Sequence, residues 1–189
     1  MSRRTSLRVR AIRPRRLVST AALVAALLGV ASCAVGPAPG KPVGVVAAPV
    51  VPARVPATLK FTAKTLDGTW FSAAELAGKP VVLWFWAPWC ATCASQAWTV
   101  AEIAPKYRDT VPIVGVAGLG EQRAMKEFVT EFDLAGTPQL DDRAGALWRR
   151  FEVVEQSTFL IIDRDGRVVH HGFLDGESLS RQVAALAGR

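Results

Sequence analysis

Two cysteines three positions apart constrain this chain more than any other feature. Cys90 and Cys93 follow a continuous apolar run, residues 81–85, and precede a stretch with apolar residues at helical spacing. The run has the length and composition of a central strand that is buried on both faces. The predicted helix continues to about Tyr107. The pair therefore lies where a buried strand passes into the first turn of a helix.

This position gives the cysteine pair a specific chemistry. The first helical turn brings the two sulfurs within bonding distance and leaves the first one exposed at the helix N-terminus. Unpaired backbone N–H groups and the positive end of the helix dipole favour thiolate over thiol there. We therefore expect Cys90 to be the attacking sulfur. Cys93, one turn further on and facing the sheet, is expected to resolve the mixed disulfide.

Three other uses of the pair have to be weighed against catalysis. A structural zinc site needs a second ligand pair, and the spare candidates, His170 and His171, are adjacent and so point to opposite faces of a strand. A permanent disulfide that takes part in no turnover is the second alternative, because an exported domain can stay oxidised. A binding module, in which the pair and one histidine hold copper or another soft metal, is the alternative function class. Three cysteines in 189 residues are too few for a disulfide scaffold.

The net charge of +7 comes from the N-terminus of the chain. Residues 1–32 contain seven arginines and no acidic residue, which leaves 16 basic and 16 acidic residues from Cys33 onward. Nucleic-acid binding requires a basic patch on the folded part of the chain. The residues from Cys33 onward have balanced charge, so their composition does not provide one. No nucleic-acid partner is expected.

Residues 1–32 have the pattern of an export signal. An arginine-rich start is followed by an apolar stretch, residues 17–30, and by small residues up to Cys33. The stretch is shorter than the roughly 20 residues that span a bilayer, which favours a cleaved signal peptide. Residues 30–33, Val-Ala-Ser-Cys, resemble the bacterial lipobox, whose cysteine is diacylated. We expect Cys33 to anchor the protein to the cell membrane; plain secretion is the alternative.

A spacer and one folded domain are predicted after the signal. Residues 33–57 contain six prolines and are expected to form a poorly ordered linker, so the folded domain is assigned to residues 58–189. Its pattern predicts a mixed α/β sheet covered by helices on both faces. The domain is predicted to begin with a hairpin at 59–72 around Asp67-Gly68, followed by a capping box at Ser72 and Glu75. The elements that follow are strand 81–85, the helix after Cys93, strand 113–117, helices around Phe128 and Trp148, a hairpin from 159–163 and 168–171, and a helix around Val183.

Residues 84–93, W-F-W-A-P-W-C-A-T-C, resemble the thioredoxin superfamily, in particular its exported TlpA-like branch. The later segments run in that branch's order, so the resemblance covers about residues 58–189. The lipoprotein start and residues 151–159 are similar to the DsbE/DsbF-type exported oxidoreductases of actinobacteria. The resemblance implies an α/β thioredoxin-like fold with an N-terminal β-hairpin extension, and no cofactor. It also implies that Cys90 is the nucleophile and Cys93 the resolving cysteine.

The chain departs from the family at the position of the cis-proline. Ser157 stands where thioredoxins place that proline beside the cysteines. A cis bond without proline costs about 2.5–4 kcal/mol, so we expect the Gln156–Ser157 bond to be trans. The replacement is expected to alter substrate docking and product release.

A second departure removes the acid that relatives use for proton transfer. Trp84 aligns with the buried aspartate of thioredoxin, and Gln96 and Trp98 replace a glutamate and a proline of TlpA-like proteins. Deprotonation of Cys93 is therefore expected to depend on solvent, on Glu102 or on a neighbour from elsewhere in the chain.

These features favour an oxidant or isomerase of exported proteins that contain cysteines. The lack of a buried acid, the apolar surroundings and the location outside the glutathione pool all point in that direction. A dithiol reductant for a specific client, such as an apocytochrome c, is the alternative within the class. A membrane redox partner is expected without being identified. The residues expected to shape the partner surface are Pro88, Trp89, Ala91, Thr92, Gln156 and Ser157.

Overall fold

A five-stranded mixed sheet in the order β5-β4-β3-β6-β7 forms the centre of the fold. The structure is a computed structural model that describes residues 54–188, so the predictions for residues 1–32 and for Cys33 lie outside the described part. The sheet strands are β3 (Val81–Trp86), β4 (Ile113–Ala117), β5 (Gln139–Asp141), β6 (Thr158–Ile162) and β7 (Val168–Phe173). Within residues 54–188, no helix has the length and apolarity needed to cross a membrane.

Within the described residues 54–188, four α-helices and a separate hairpin surround the sheet. The hairpin is formed by β1 (Thr62–Lys64) and β2 (Trp70–Ser72), and the helices are α1 (Ala91–Tyr107), α2 (Gln122–Glu131), α3 (Ala146–Arg150) and α4 (Gly176–Ala187). Gly68 lies at φ 92° in the predicted hairpin turn, a conformation that glycine adopts without strain. The predicted thioredoxin-like α/β fold with an N-terminal hairpin is confirmed.

β3 is the central strand because every residue of it is apolar and buried. It pairs in parallel with β4 and antiparallel with β6. Its alternate side chains enter two cores. Trp84 and Trp86 pack on the face that α1, α2 and α4 cover, and Leu83 and Phe85 pack on the face that α3 covers. The segment that contains the two cysteines therefore begins at the end of a strand that is buried along its whole length.

Two local features differ from the sequence prediction. β5 was not predicted, because it has three residues, two of them polar, and forms only through its parallel pairing with β4. The predicted capping box at Ser72 and Glu75 is wrong. Residues Ala73–Leu76 form a single 3₁₀ turn, and its N-cap residue, Ser72, makes no side-chain cap.

Candidate active site

Cys90 is the N-terminal capping residue of α1. Its backbone is extended, and its Sγ accepts a hydrogen bond from the Cys93 N–H at 3.0 Å. A sharp turn after β3 produces this arrangement, because the Cys90 N–H donates to the carbonyl of Ala87 across Pro88 and Trp89. Both cysteines are free thiols. The predicted placement of the pair at the start of a helix is therefore confirmed.

Burial of the two sulfurs differs in part from the prediction. Cys93 has no exposed surface, as its position toward the sheet implies, but Cys90 is also largely covered, at 6% exposed. The expectation that the Cys90 sulfur is exposed is therefore wrong, because the side chain of Ser157 lies against it. The neighbours Trp89, Ala91 and Thr92 are exposed. These three residues form an exposed rim beside the Cys90 sulfur.

Ser157 contacts both sulfurs. Its Oγ lies 3.2 Å from the Sγ of Cys90 and 3.2 Å from the Sγ of Cys93. The peptide bond between Gln156 and Ser157 is trans, as expected, and Ser157 has a φ of 67°. Sequence reasoning identified this residue as the replacement for a proline but did not foresee that its hydroxyl would reach both cysteines. The available signal was a small hydroxyl residue at a position that packs on the pair.

Gln96 connects the buried strand to the Ser157 loop. Its Oε1 accepts from the Trp84 indole N–H at 2.9 Å, and its Nε2 donates to the carbonyls of Ser157 (3.1 Å) and Leu174 (3.0 Å). The side chain is 3% exposed. Sequence reasoning treated Gln96 only as a missing glutamate. Its position one turn after Cys93, on the buried face of α1, was the signal that could have identified it.

Burial raises the pKa of the Cys93 thiol to about 12, and a hydrogen bond with Cys90 adds to this effect. Ser157 and the backbone of Ala87 act in the opposite direction. Glu102, named as a possible proton acceptor, is wrong for that role. It is nine residues further along α1, about 13 Å at 1.5 Å per residue, and its exposed carboxylate pairs with Lys106.

The histidines do not join the cysteines. His170 and His171 pair with Ile161 and Leu160 in the middle of the β6–β7 ladder, and the His170 ring contacts the carbonyl of Gly172. No group of three or more metal-binding side chains occurs within residues 54–188. The idea of a soft-metal module built from the pair and a histidine therefore has no geometric support in the described part.

The exposed rim next to Cys90 is held by the loop after β4. The Trp89 indole N–H donates to the carbonyl of Leu119 at 2.6 Å, and Pro88 lies so close to Gly120 that a Cβ there would be 2.5 Å from the proline ring. Trp89 is 61% and Leu119 52% exposed. Leu119 was not identified from the sequence, since this contact crosses 30 positions of the chain.

The replacement Gln96→Leu is expected to destabilise the fold by about 3 kcal/mol. The substitution leaves the Trp84 indole N–H and the carbonyls of Ser157 and Leu174 buried without partners, and each such group costs about 1–3 kcal/mol. Urea unfolding measures the effect. Ser95→Ala is the matched control on the same helix: its hydroxyl is exposed, so a change within about 0.5 kcal/mol is expected. Equal stabilities of the two variants would contradict the role given to Gln96.

Comparison with known proteins places this geometry in a family. Residues 55–171, more than half of the chain, match the model of the AhpC/TSA family. The soluble secreted antigen MPT53 of Mycobacterium tuberculosis is 38% identical over 132 residues, which are 68% of this chain and 75% of the relative. The thiol-disulfide oxidoreductase ResA of Bacillus anthracis is 30% identical over 124 residues, which are 65% of this chain and 70% of the relative.

Solved structures agree with these relatives. DsbF of MTB, determined in mixed oxidized and reduced forms, superposes with a TM-score of 0.66 at 44% identity and covers 70% of this chain and 99% of its own. A secreted Mycobacterium tuberculosis disulfide oxidoreductase homologous to E. coli DsbE gives a TM-score of 0.62 at 37% identity, with 68% and 98% covered. The chain therefore belongs to the AhpC/TSA family of the thioredoxin superfamily, and it is a thiol-disulfide oxidoreductase with a Cys90-x-x-Cys93 pair.

Proposed function

We propose that this enzyme is exported, anchored to the cell membrane, and oxidises or isomerises cysteine pairs in exported proteins. The observation that carries the oxidising direction is the environment of Cys93. Its thiol is fully buried, its pKa is raised to about 12 by that burial, and the polar groups acting on it are Cys90, Ser157 and the backbone of Ala87 rather than a carboxylate. Burial therefore holds Cys93 as a neutral thiol, and the Ser157 hydroxyl and the Cys93 N–H add hydrogen bonds to the sulfurs of the dithiol. A reduced form that is stabilised in this way makes the disulfide form the better oxidant.

The proposed cycle moves one disulfide from enzyme to client. A client thiolate attacks the Sγ of Cys90, the Cys90–Cys93 bond breaks, and Cys93 leaves with the electron pair and takes up a proton. A second client thiolate then attacks the client sulfur of the mixed disulfide, and Cys90 leaves as a thiolate. The client loses two electrons and gains a disulfide, and the enzyme becomes a dithiol. In this cycle Cys90 is the sulfur that meets the client, and Cys93 is the leaving group. In the reverse direction Cys93 is the resolving cysteine, because its thiolate displaces the client from Cys90.

We assign the client-binding surface to the rim around Cys90. Trp89, Ala91 and Thr92 are exposed beside the sulfur, and the Trp89 ring is fixed by its bond to the Leu119 carbonyl. Pro88 packs against Gly120 and so supports the turn before Cys90. Gln156, which precedes Ser157 in the chain, is half-buried. An exposed, preorganised aromatic residue next to the reactive atom supplies contact area at low entropic cost.

Export is supported by the sequence and by similarity, and anchoring is supported by the sequence alone. Residues 1–32 have the charge and apolar pattern of a signal peptide, and Cys33 ends a lipobox-like sequence. The relative MPT53 is named a soluble secreted antigen. Fractionation of cells that express the wild type and Cys33→Ala tests the anchor. The wild type should be found with the membrane and the variant in the soluble extracytoplasmic fraction; the same fraction for both would contradict anchoring.

Direct assays of direction test the oxidative role. The enzyme is incubated in its disulfide form with a reduced, unfolded protein that regains activity only when its disulfides form. We expect faster recovery of activity than with Cys90→Ser, and slow reduction of insulin by the dithiol form in the presence of dithiothreitol. Rapid insulin reduction without catalysis of oxidative refolding would establish the reductant alternative instead.

A further inference from the structure

The hydroxyl of Ser157 is the polar side-chain group that lies equally close to both reactive sulfurs. The two Oγ–Sγ distances are 3.2 Å each, within the range of hydrogen bonds that involve sulfur. A hydroxyl carries one hydrogen that rotates about the Cβ–Oγ bond, and two acceptor lone pairs. It can therefore donate to either sulfur and accept from the other without any change of the backbone.

The two sulfurs carry negative charge at different stages of thiol-disulfide exchange. When the disulfide is attacked at Cys90, the charge develops on Cys93, which has no exposed surface and so no contact with water. When the dithiol is formed, Cys90 holds the charge if Cys93 keeps its proton. The Cys93 N–H already donates to the Sγ of Cys90 at 3.0 Å, and the backbone of Ala87 is the other polar group that acts on the Cys93 thiol beside Ser157. A buried developing charge requires a nearby donor that is already in place.

The backbone of Ser157 is held in a conformation that non-glycine residues seldom adopt. Its φ of 67° lies in the left-handed region, and such residues cost about 1–3 kcal/mol unless their surroundings fix them. Here Gln96 fixes the loop, because its Nε2 donates to the Ser157 carbonyl at 3.1 Å. The strained backbone directs the Ser157 side chain between the two sulfurs. Strain maintained at a reactive site is the kind of observation that points to a role in the chemistry.

We propose that Ser157 is a catalytic residue whose hydroxyl donates a hydrogen bond to whichever sulfur carries the charge. It donates to Cys93 as the Cys90–Cys93 bond breaks and that sulfur leaves with the electron pair. It then donates to the Cys90 thiolate and accepts from the Cys93 thiol once the dithiol has formed. Ser157 itself neither gains nor loses a proton, and no bond to it forms or breaks. The inference rests on the thiol-disulfide chemistry of the family and is independent of the proposed oxidising direction.

The test compares two variants that lack the hydroxyl. Ser157→Ala keeps the Cβ at the strained position, whereas Ser157→Gly relieves the positive φ, so any effect of backbone strain differs between them. Both are made in the full-length protein with Cys33→Ala, which leaves only the two active-site thiols to titrate. Ser95→Ala, an exposed hydroxyl on α1, is the control. The disulfide form is reduced by excess dithiothreitol, samples are quenched in acid, and the alkylated cysteines are counted by mass spectrometry.

Both hydroxyl-free variants should be reduced about 10-fold or more slowly than the parent, the effect expected for a lost hydrogen bond to a charged group. The thiolate absorbance at 240 nm of their dithiol forms should appear about one pH unit higher. The Ser95→Ala control should match the parent in both measurements. A variant that reacts and titrates like the parent overturns the proposal, and so does a slow variant with an unchanged thiolate titration. Neither readout involves a client, so a failure here leaves the oxidative role unaffected.

Discussion

Replacing Cys93 by serine is expected to convert a transient mixed disulfide into one that can be isolated. In the wild type, the Ser157 hydroxyl contacts the sulfurs of both Cys90 and Cys93. The Cys93 sulfur is therefore close enough to displace the client from Cys90. Without that sulfur, the covalent bond between Cys90 and a client cysteine persists until an external thiol or the client's own second thiol attacks it. Extracytoplasmic protein from expressing cells, alkylated and separated without reductant, should therefore show a ladder of adducts that reductant collapses.

The matched control for this experiment is Cys90→Ser. It leaves Cys93 fully buried, so no adduct ladder and no turnover are expected from it. The contrast is large because one variant accumulates the intermediate and the other cannot form it. Adducts of equal abundance in the two variants would contradict the assignment of Cys90 as the sulfur that meets the client. Repeated absence of adducts from Cys93→Ser would contradict catalysis on exported proteins altogether.

The largest expected effect on stability comes from Trp84→Ala. Trp84 is fully buried in β3, and its ring stacks on those of Trp86 and Phe159, with centroids 5.7 and 6.1 Å apart. Truncation of a buried aromatic side chain costs about 3–5 kcal/mol, and the orphaned Oε1 of Gln96 adds to that cost. Against a typical total of about 5–15 kcal/mol, the variant should be marginally folded or unfolded.

Trp98→Ala is the matched control, since it removes the same side chain from a surface site. Trp98 is 62% exposed and makes one edge contact with Phe132 at 5.2 Å. Its truncation is expected to cost about 1 kcal/mol. Chemical denaturation followed by far-ultraviolet circular dichroism compares the two variants with the wild type. Similar losses in both would mean that Trp84 does not have the central place in the core described above.

Much of the fold could be predicted from the sequence because its main elements have strong local signals. β3 is apolar throughout, a short turn separates it from α1, and Asp-Gly pairs at 67–68 and 165–166 mark the turns of the two hairpins. β5 lacks such a signal, because its three residues become a strand only through pairing with β4. The capping box at Ser72 had a local signal that misled, because the segment after it forms only a single 3₁₀ turn.

The site could be predicted in its reactive atoms but not in their surroundings. The spacing of Cys90 and Cys93 and their place after a buried strand identified the pair directly. Ser157 contacts both sulfurs across more than 60 positions of the chain. The hydrogen bonds of Gln96 likewise reach two carbonyls that are distant in sequence, those of Ser157 and Leu174. Residues that act through such contacts have no local periodicity, so only the folded structure brings them together.

Equilibration of the purified enzyme with defined ratios of reduced and oxidised glutathione tests the central claim most directly. The measured quantity is the fraction of molecules with a Cys90–Cys93 disulfide at each ratio, which gives the reduction potential. The hydrogen bonds that the Ser157 hydroxyl and the Cys93 N–H make to the sulfurs stabilise the dithiol form. They predict a potential less negative than about −200 mV, toward the roughly −120 mV of DsbA. A value near the roughly −270 mV of thioredoxin would contradict this account.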